Sequence, residues 1–252
     1  DVYKRQYQKI ADVFEQCSYD YDKNSETTKA FYAFVQNKLH YAVTGKTAVI
    51  AGYGWCGKGC AMRAKGLGAH VIVTEVDPIK AIEAVMDGFE VMPMAEAAKR
   101  GDIFLTVTGD IDIITEPHFL AMKDGAICAN AGHFDCEVSR KDLERIAVSH
   151  YEARKNIEGY VLPNGKTVFL MAEGRLVNLA AGDGHPAEIM DLSFAMQTLA
   201  ARYLLQHGKE MKPAVYTLPH ELDTKIASIK LAAMGYQIDT LTEAQRKYLG
   251  LD

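Results

Sequence analysis

Short apolar runs alternate with amphipathic segments between residues 47 and 132. Runs such as TAVIAG and DIFLTVTG end at glycine, which predicts buried strands. The segments between them carry helix start and stop signals, since PIKAIEAVMDG begins with proline and ends with glycine. The same alternation includes HVIVTEVD and AICANAG as strands, and WCGKGCAMRAKGLG and EPHFLAMKDG as helices. It predicts an α/β fold, a doubly wound parallel sheet with helices on both faces.

The pattern changes after residue 150. The stretch EGYVLPNGKTVFLMA contains two β-like runs around Asn164-Gly165, which predicts a hairpin. Beyond Pro186, apolar residues recur at spacings of three and four, which predicts one face of a helix. These residues are Ile189, Leu192, Met196, Leu199 and Tyr203.

Two more helices are expected near the end of the chain. One covers roughly 219–234, and TEAQ at 242–245 has the form of a capping box before a last short helix. We therefore divide the chain into a short segment at 1–41, a cofactor domain at 42–184 and a helical segment at 185–252.

Composition narrows the function classes. The chain has 252 residues, 48% of them hydrophobic, and a net charge of -5, which suits one large or two modest domains. Mild acidity argues against a nucleic-acid surface, and no apolar run approaches the ~20 residues of a membrane span. The five cysteines show no zinc-like pairing, so we expect no metal site and a reducing, cytoplasmic location. Nothing near Asp1 resembles a signal peptide, and the chain is compatible with a fragment.

The stretch AGYGWCGKG is the first candidate for chemistry. It follows a predicted strand and opens a predicted helix, where Gly52 would allow the turn, Gly54 the approach of a pyrophosphate and Gly57 close packing. Glu75 ends the next strand and could accept hydrogen bonds from a ribose, which favours NAD over NADP. Lys80 would weaken that preference. The alternative is an ordinary strand-to-helix turn with a solvated glutamate.

Several longer blocks resemble the S-adenosylhomocysteine hydrolase (adenosylhomocysteinase) family, in its shorter bacterial and archaeal form. The resemblance covers residues 44–252. It implies a Rossmann-type domain that holds NAD tightly. The blocks are GKTAVIAGYGWCGKG, VIVTEVDPIKAIEA, DGAICANAGHFDCE, AEGRLVNLAAGDGHPAEIMDLSF and LTEAQRKYLG.

The resemblance also implies a reaction without net oxidation. In this family a hydride passes from the ribose 3′-carbon of S-adenosylhomocysteine to NAD, and the resulting ketone acidifies the 4′ C–H. Homocysteine then leaves, water adds, and the hydride returns to give adenosine. The protein supplies position and proton transfer for these steps.

The site residues implied by the resemblance fall into three groups. His133 and His185 are the candidate catalytic residues, beside the nicotinamide and the substrate respectively. Ala131, Gly132, His133 and Asn178 would contact NAD towards the nicotinamide, and Glu75 and Lys80 its adenosine half. Asp110 falls near where the family meets NAD. The pyrophosphate loop would comprise Gly52, Gly54, Trp55, Cys56, Gly57, Lys58 and Gly59, with Trp55 and Cys56 contributing backbone.

Some polar residues have simpler interpretations. Asp110 and Asp112 are also compatible with capping the helix that follows them. Asp135 and Glu137 alternate along a polar stretch, a pattern compatible with solvated side chains.

The resemblance is weakest at residues 1–41. The family builds its substrate domain mainly from a long segment before the cofactor domain, so the C-terminal helices here would belong to a largely absent domain. We expect a weakly active or inactive chain that forms homo-oligomers, tetramers by family. Three alternatives stay open: a non-catalytic NAD-binding or oligomerisation module, an S-inosyl-L-homocysteine hydrolase, and an NAD-dependent 2-hydroxyacid dehydrogenase.

Overall fold

The computed structural model describes residues 45–182 and 184–251. The chain divides into two compact units, one ending at Gly182 and the other comprising the described residues after it. The predicted segment at 1–41 lies outside the described residues. Each unit is considered by itself below.

The first unit contains a mixed α/β arrangement. Its strands are β1 (Thr47–Ala51), β2 (His70–Thr74), β3 (Glu90–Val91), β4 (Ile103–Thr106), β5 (Ala126–Asn130), β6 (Ser149–Arg154), β7 (Ile157–Val161) and β8 (Thr167–Met171). Its helices are α1 (Trp55–Gly66), α2 (Pro78–Met86), α3 (Met94–Arg100), α4 (Glu116–Ala121), α5 (Arg140–Ile146) and α6 (Val177–Ala180).

The strands form one eight-stranded sheet in the order β3-β2-β1-β4-β5-β8-β7-β6. The pairs from β3 to β8 are all parallel, whereas β7 runs antiparallel to β8 and β6 antiparallel to β7. The predicted hairpin around Asn164-Gly165 is confirmed as β7–β8. The doubly wound α/β fold is also confirmed, with the strand order reversing between β1 and β4.

Both faces of the sheet are covered, as the apolar runs predict. Val49 of β1 belongs to one buried cluster, with Phe104 and Phe119, while the adjacent Ile50 belongs to the other, with Ala61 and Ala84. Successive side chains of a strand point to opposite faces, so a strand buried on both sides reads as a continuous apolar run. Full burial of a side chain such as Val49 contributes roughly 1.5–3 kcal/mol.

Helix α2 begins where its signals predict. Pro78 occupies the first turn, and the Asp77 carboxylate caps the helix by accepting a hydrogen bond from the Ile79 amide at 2.8 Å. By contrast, the sequence pattern did not predict α3. Its buried residues are the adjacent alanines Ala97 and Ala98, which pack against the sheet without a periodic row of large side chains.

The second unit contains three helices among its described residues: α7 (Ala187–His207), α8 (His220–Ala233) and α9 (Glu243–Leu249). An ion pair of 2.6 Å between Lys230 and Asp191 joins α8 to α7. The predicted capping box is confirmed, since Thr242 and Gln245 each bond the other's backbone. Within residues 45–182 and 184–251, no helix is both long and apolar enough to cross a membrane.

The contact between α1 and the loop after β1 gives a first prediction. A β-carbon at Gly57 would lie 1.9 Å from the Gly52 carbonyl oxygen, whereas one at Gly59 would meet no atom within 4 Å. We expect Gly57→Ala to lower the free energy of unfolding by about 1–3 kcal/mol, because backbone must move apart. The matched variant Gly59→Ala should raise it by about 0.5–1 kcal/mol through helix propensity. Urea unfolding measures both, and equal effects would contradict the proposed contact.

Candidate functional site

The candidate site lies where the strand order reverses. The loops after β1 and β4 leave the sheet there in opposite directions, which opens a crevice at the carboxyl ends of the strands. Hydrogen bonds continue into these loops: the Gly52 amide donates to Thr74 O at 2.8 Å, and the Val107 amide to Ala51 O at 2.9 Å. The rim of the crevice is therefore tied to the sheet on both sides.

A cleft of about 730 Å³ occupies this crevice. One wall is polar, with Gly52, Gly54, Glu75, Thr108 and Asp110, and another is apolar. The apolar wall comprises Val76, Val91, Met92, Pro93 and Met94, which the sequence analysis did not single out. Val76 follows β2, and the other four lie in or directly after the two-residue edge strand β3, so no periodicity marks them.

Gly52 and Gly54 differ in their structural surroundings. Gly52 has a φ of +98°, and a β-carbon there would lie 3.1 Å from Val107 O. Gly54 precedes α1, and a β-carbon there would meet no atom within 4 Å. The space beside Gly54 is therefore open, next to a helix N-terminus whose first amides lack acceptors within the helix.

Glu75 connects the end of β2 to this loop. One carboxylate oxygen accepts from the Tyr53 amide at 2.6 Å, and the other from the amides of Val76 at 2.7 Å and Asp77 at 3.1 Å. The negative charge thus stands at the rim of the cleft. A 2′-phosphate brought to this place would be repelled.

Lys58 is engaged on the far side of the loop. Its ammonium group lies 2.9 Å from Asp87, which also accepts a hydrogen bond of 2.7 Å from the Tyr53 hydroxyl. The hydrogen bonds from Lys58 and Tyr53 lower the pKa of the Asp87 carboxyl. Since the Lys58 amide already donates to Gly54 O at 2.9 Å, its cofactor contact stays a prediction.

Lys80 is placed differently from Glu75. It pairs with Glu83 one turn further along α2, at 3.1 Å, and it is not among the residues that line the cleft. Its predicted contact with the adenosine half stays a prediction. Within the first unit, the structure thus brings Glu75, but not Lys80, to the cleft wall.

Two exposed side chains begin α1. Trp55 is 95% exposed, so its side chain has few neighbours in this unit. Cys56 is also exposed. Burial of the Cys60 thiol, together with the nearby Cys56, raises the pKa of Cys60 to about 11. The four cysteines among the described residues are free thiols, and no group of three or more metal-type ligands assembles in that part of the chain.

The loop after β5 carries Ala131, Gly132 and His133. The Ala131 amide donates to Thr106 O at 2.9 Å, and the His133 side chain is exposed, with its ring 4.2 Å from that of Phe134. This loop is at the same edge of the sheet as the glycine loop. The residues expected near the nicotinamide therefore share one edge.

The expectation of a solvated Glu137 is wrong. Its side chain is completely buried and accepts hydrogen bonds from the amides of Thr108, Gly109 and His133 at 2.8–2.9 Å. A further bond of 2.7 Å comes from the Thr108 hydroxyl. The alternating polar pattern concealed this burial because a carboxylate can be buried where several donors converge on it.

Asn178 and His185 belong to different units. Asn178 lies on α6, and its buried side-chain oxygen has no hydrogen-bond partner within the part of the chain that the structure describes. An acceptor of this kind fits the amide of a ligand. His185 is an exposed residue of the second unit, and its role beside a substrate stays a prediction.

The strand order, the glycine loop and the acidic residue after β2 define a dinucleotide-binding protein of the Rossmann type. A family model for the NAD binding domain of S-adenosyl-L-homocysteine hydrolase matches residues 33–184. The chain belongs to this family, and NAD is the cofactor of its domain. A second model, the Virulence protein RhuM family, matches residues 2–51.

Curated relatives agree with this assignment. The adenosylhomocysteinases of Thermotoga maritima and Thermococcus kodakarensis are 56% and 57% identical over 231 residues, which is 92% of this chain and 57% and 55% of theirs. The S-inosyl-L-homocysteine hydrolase of Methanocaldococcus jannaschii is 58% identical over 207 residues, 82% of this chain and 50% of its own. The chain therefore spans about half the length of these relatives.

The residues present fit NAD in three respects. Open space beside Gly54 would admit the pyrophosphate, and the Glu75 carboxylate in the cleft wall could accept from an adenosine ribose. Asn178, which is not among the residues that line the cleft, offers an unpartnered acceptor. The residues present thus match the anionic, hydroxyl and amide groups of the dinucleotide.

A substitution at Gly54 tests the open space. Its φ of -71° and ψ of -167° are accessible to any L-residue, so Gly54→Val should leave the unfolding midpoint within about 3 °C of the parent. The branched side chain would occupy the position of the pyrophosphate, and NAD affinity should fall by about 100-fold or more. Isothermal titration measures affinity, with Met62→Val, at an exposed position further along α1, as the control. Retained affinity in Gly54→Val would show that the loop is only a turn.

Proposed function

We propose that this chain forms the NAD-binding part of an enzyme that reversibly hydrolyses S-adenosyl-L-homocysteine to adenosine and L-homocysteine. The observation that carries the proposal is the cleft formed by the glycine loop and Glu75, in a chain of this hydrolase family. Two of the relatives cited above carry the name adenosylhomocysteinase.

Different residues of the chain would bind different parts of NAD along the cleft. Glu75 would hold the ribose of the adenosine half, and the first turn of α1, from Trp55 to Gly57, would receive the pyrophosphate. Asn178 would accept from the carboxamide of the nicotinamide. Bound NAD supplies the reversible oxidation that makes a neighbouring ribose proton acidic.

His133 is the proposed catalytic residue nearest the nicotinamide. Its backbone amide is fixed by Glu137 at 2.8 Å while its imidazole is exposed, so the ring is accessible to a substrate hydroxyl. An imidazole can hold or move a proton near neutral pH. His185 would act from the substrate side, with groups of the substrate domain.

An S-inosyl-L-homocysteine hydrolase is the second candidate function, since two similar relatives bear that name. The two substrates differ only at the base, and both would need the same NAD chemistry. Parallel assays with adenosyl and inosyl substrates on an active form distinguish them. A preference for the inosyl substrate would replace the first candidate.

The assembly and location follow from the same family proposal. We propose a homotetramer in the cytoplasm, and the free thiols of the described cysteines are compatible with a reducing compartment. The rival is a non-catalytic module that binds NAD or forms oligomers. Light scattering measures the assembly, and turnover distinguishes an enzyme from the module.

Cofactor choice is the first test of the proposal. NAD should bind at least about tenfold more tightly than NADP, because the Glu75 carboxylate would repel a 2′-phosphate. Isothermal titration with both cofactors measures the ratio. Glu75→Gln should reduce it, whereas Glu144→Gln on α5 should not. Tighter binding of NADP would contradict the role given to Glu75.

Turnover is the second test. The 252-residue chain alone should release little or no homocysteine, because it corresponds to about half of its relatives. Fusion to the preceding segment of such a relative should restore release while NAD stays oxidised. In that form His133→Ala should lower kcat on the order of 100-fold or more, and the exposed His70→Ala should not. Steady accumulation of NADH would instead indicate an ordinary dehydrogenase.

A further inference from the structure

We propose that Asn130 and Glu137, two buried polar residues with no assigned role, are positioning residues that fix the nicotinamide half of the cleft. The inference rests on the proposed function, since it concerns the same NAD site. Neither side chain needs to touch the cofactor. Each would act through the backbone of the loops that carry His133 and lead to Asn178.

Glu137 joins the loop after β4 to the loop after β5. Its carboxylate accepts from the amides of Thr108 and Gly109 on one side and from the amide of His133 on the other. These bonds are 2.9, 2.9 and 2.8 Å long, and the Thr108 hydroxyl adds another at 2.7 Å. A carboxylate only accepts hydrogen bonds, so it can satisfy all these donors at once.

Asn130 fixes the other side of the same loop. Its side-chain oxygen accepts from the Gly132 amide at 2.8 Å and from the Thr106 hydroxyl at 3.2 Å. Its side-chain nitrogen donates to Phe134 O and, at 2.9 Å, to Gly174 O. Asn130 and Glu137 thus fix the consecutive amides of Gly132 and His133 from two directions.

The contact with Gly174 extends this effect towards Asn178. Ala172, Glu173 and Gly174 have φ values of 52°, 58° and 81°, so three consecutive residues adopt the left-handed conformation. Such a segment persists where its surroundings fix it. Asn130 provides one of those contacts through its bond to Gly174, which lies four residues before Asn178 in the sequence.

Burial argues that the pair has a positioning role. Both side chains are completely buried, and an ionised carboxylate is retained in such a place only when several donors compensate its desolvation. Gly132 leaves the room that Glu137 occupies, since a β-carbon there would lie 1.8 Å from a carboxylate oxygen. The arrangement therefore connects three loops at one edge of the sheet.

Near-isosteric variants of the full chain test the pair. Glu137→Gln places an amide NH₂ against N–H donors, and Asn130→Asp places a carboxylate oxygen against carbonyl oxygens. Isothermal titration compares NAD with ADP, which has the adenosine and pyrophosphate half alone. For both variants we expect NAD affinity to fall about tenfold or more while ADP affinity stays within about twofold. The exposed Glu144→Gln is the matched control and should change neither affinity.

The outcomes separate this inference from the proposed function. Equal losses for NAD and ADP, or no loss for either, would overturn the positioning role while NAD binding by the parent chain still stands. A parent chain that binds neither ligand would overturn the proposed function and the inference with it. If both variants fail to fold, Thr108→Val removes the hydroxyl that donates to Glu137 and accepts from the Asp110 amide, and leaves both buried side chains in place. It should then show a smaller loss, still selective for NAD, and an unselective loss would overturn the proposal.

Discussion

The backbone donors of the loops at the carboxyl edge of the sheet impose the main constraint on this structure. Parallel strands bring the ends of β1, β2, β4 and β5 to one edge, where the ladder of strand hydrogen bonds stops. Loop amides near that edge need other acceptors. Two carboxylates provide them: Glu75 ties the loop after β1 to the end of β2, and Glu137 ties the loop after β4 to the loop after β5.

Much of this architecture could be predicted from the sequence. Strands buried on both faces, such as β1 and β2, give continuous apolar runs, and Asp77 with Pro78 marks a helix start. The glycine loop was identifiable because its glycines are required for local reasons. Gly52 has a positive φ, and Gly57 closely approaches the backbone of Gly52, only five residues away. Local patterns of this kind leave a direct trace in the sequence.

The features that were missed depend on contacts distant in sequence. Glu137 bonds residues 28 and 29 positions away, and Asn130 reaches Gly174 over 44 positions. Polar residues in a short loop give no sign of whether distant donors will surround them. The apolar wall of the cleft at Met92 and Met94 could not be predicted for the same reason, since it forms only when β3 adds to the sheet edge beside β2.

The two carboxylates differ in one respect that bears on function. Glu75 is partly exposed and lines the cleft. A ribose hydroxyl could therefore compete with the backbone amides that now donate hydrogen bonds to its carboxylate. Glu137 is completely enclosed and is not among the residues that line the cleft. In the proposed NAD site, the adenosine end would therefore adjust to its ligand, while the end with His133 would be fixed before the ligand arrives. Hydride transfer depends on orientation more than adenosine binding does, so a preformed nicotinamide end would suit the proposed reaction.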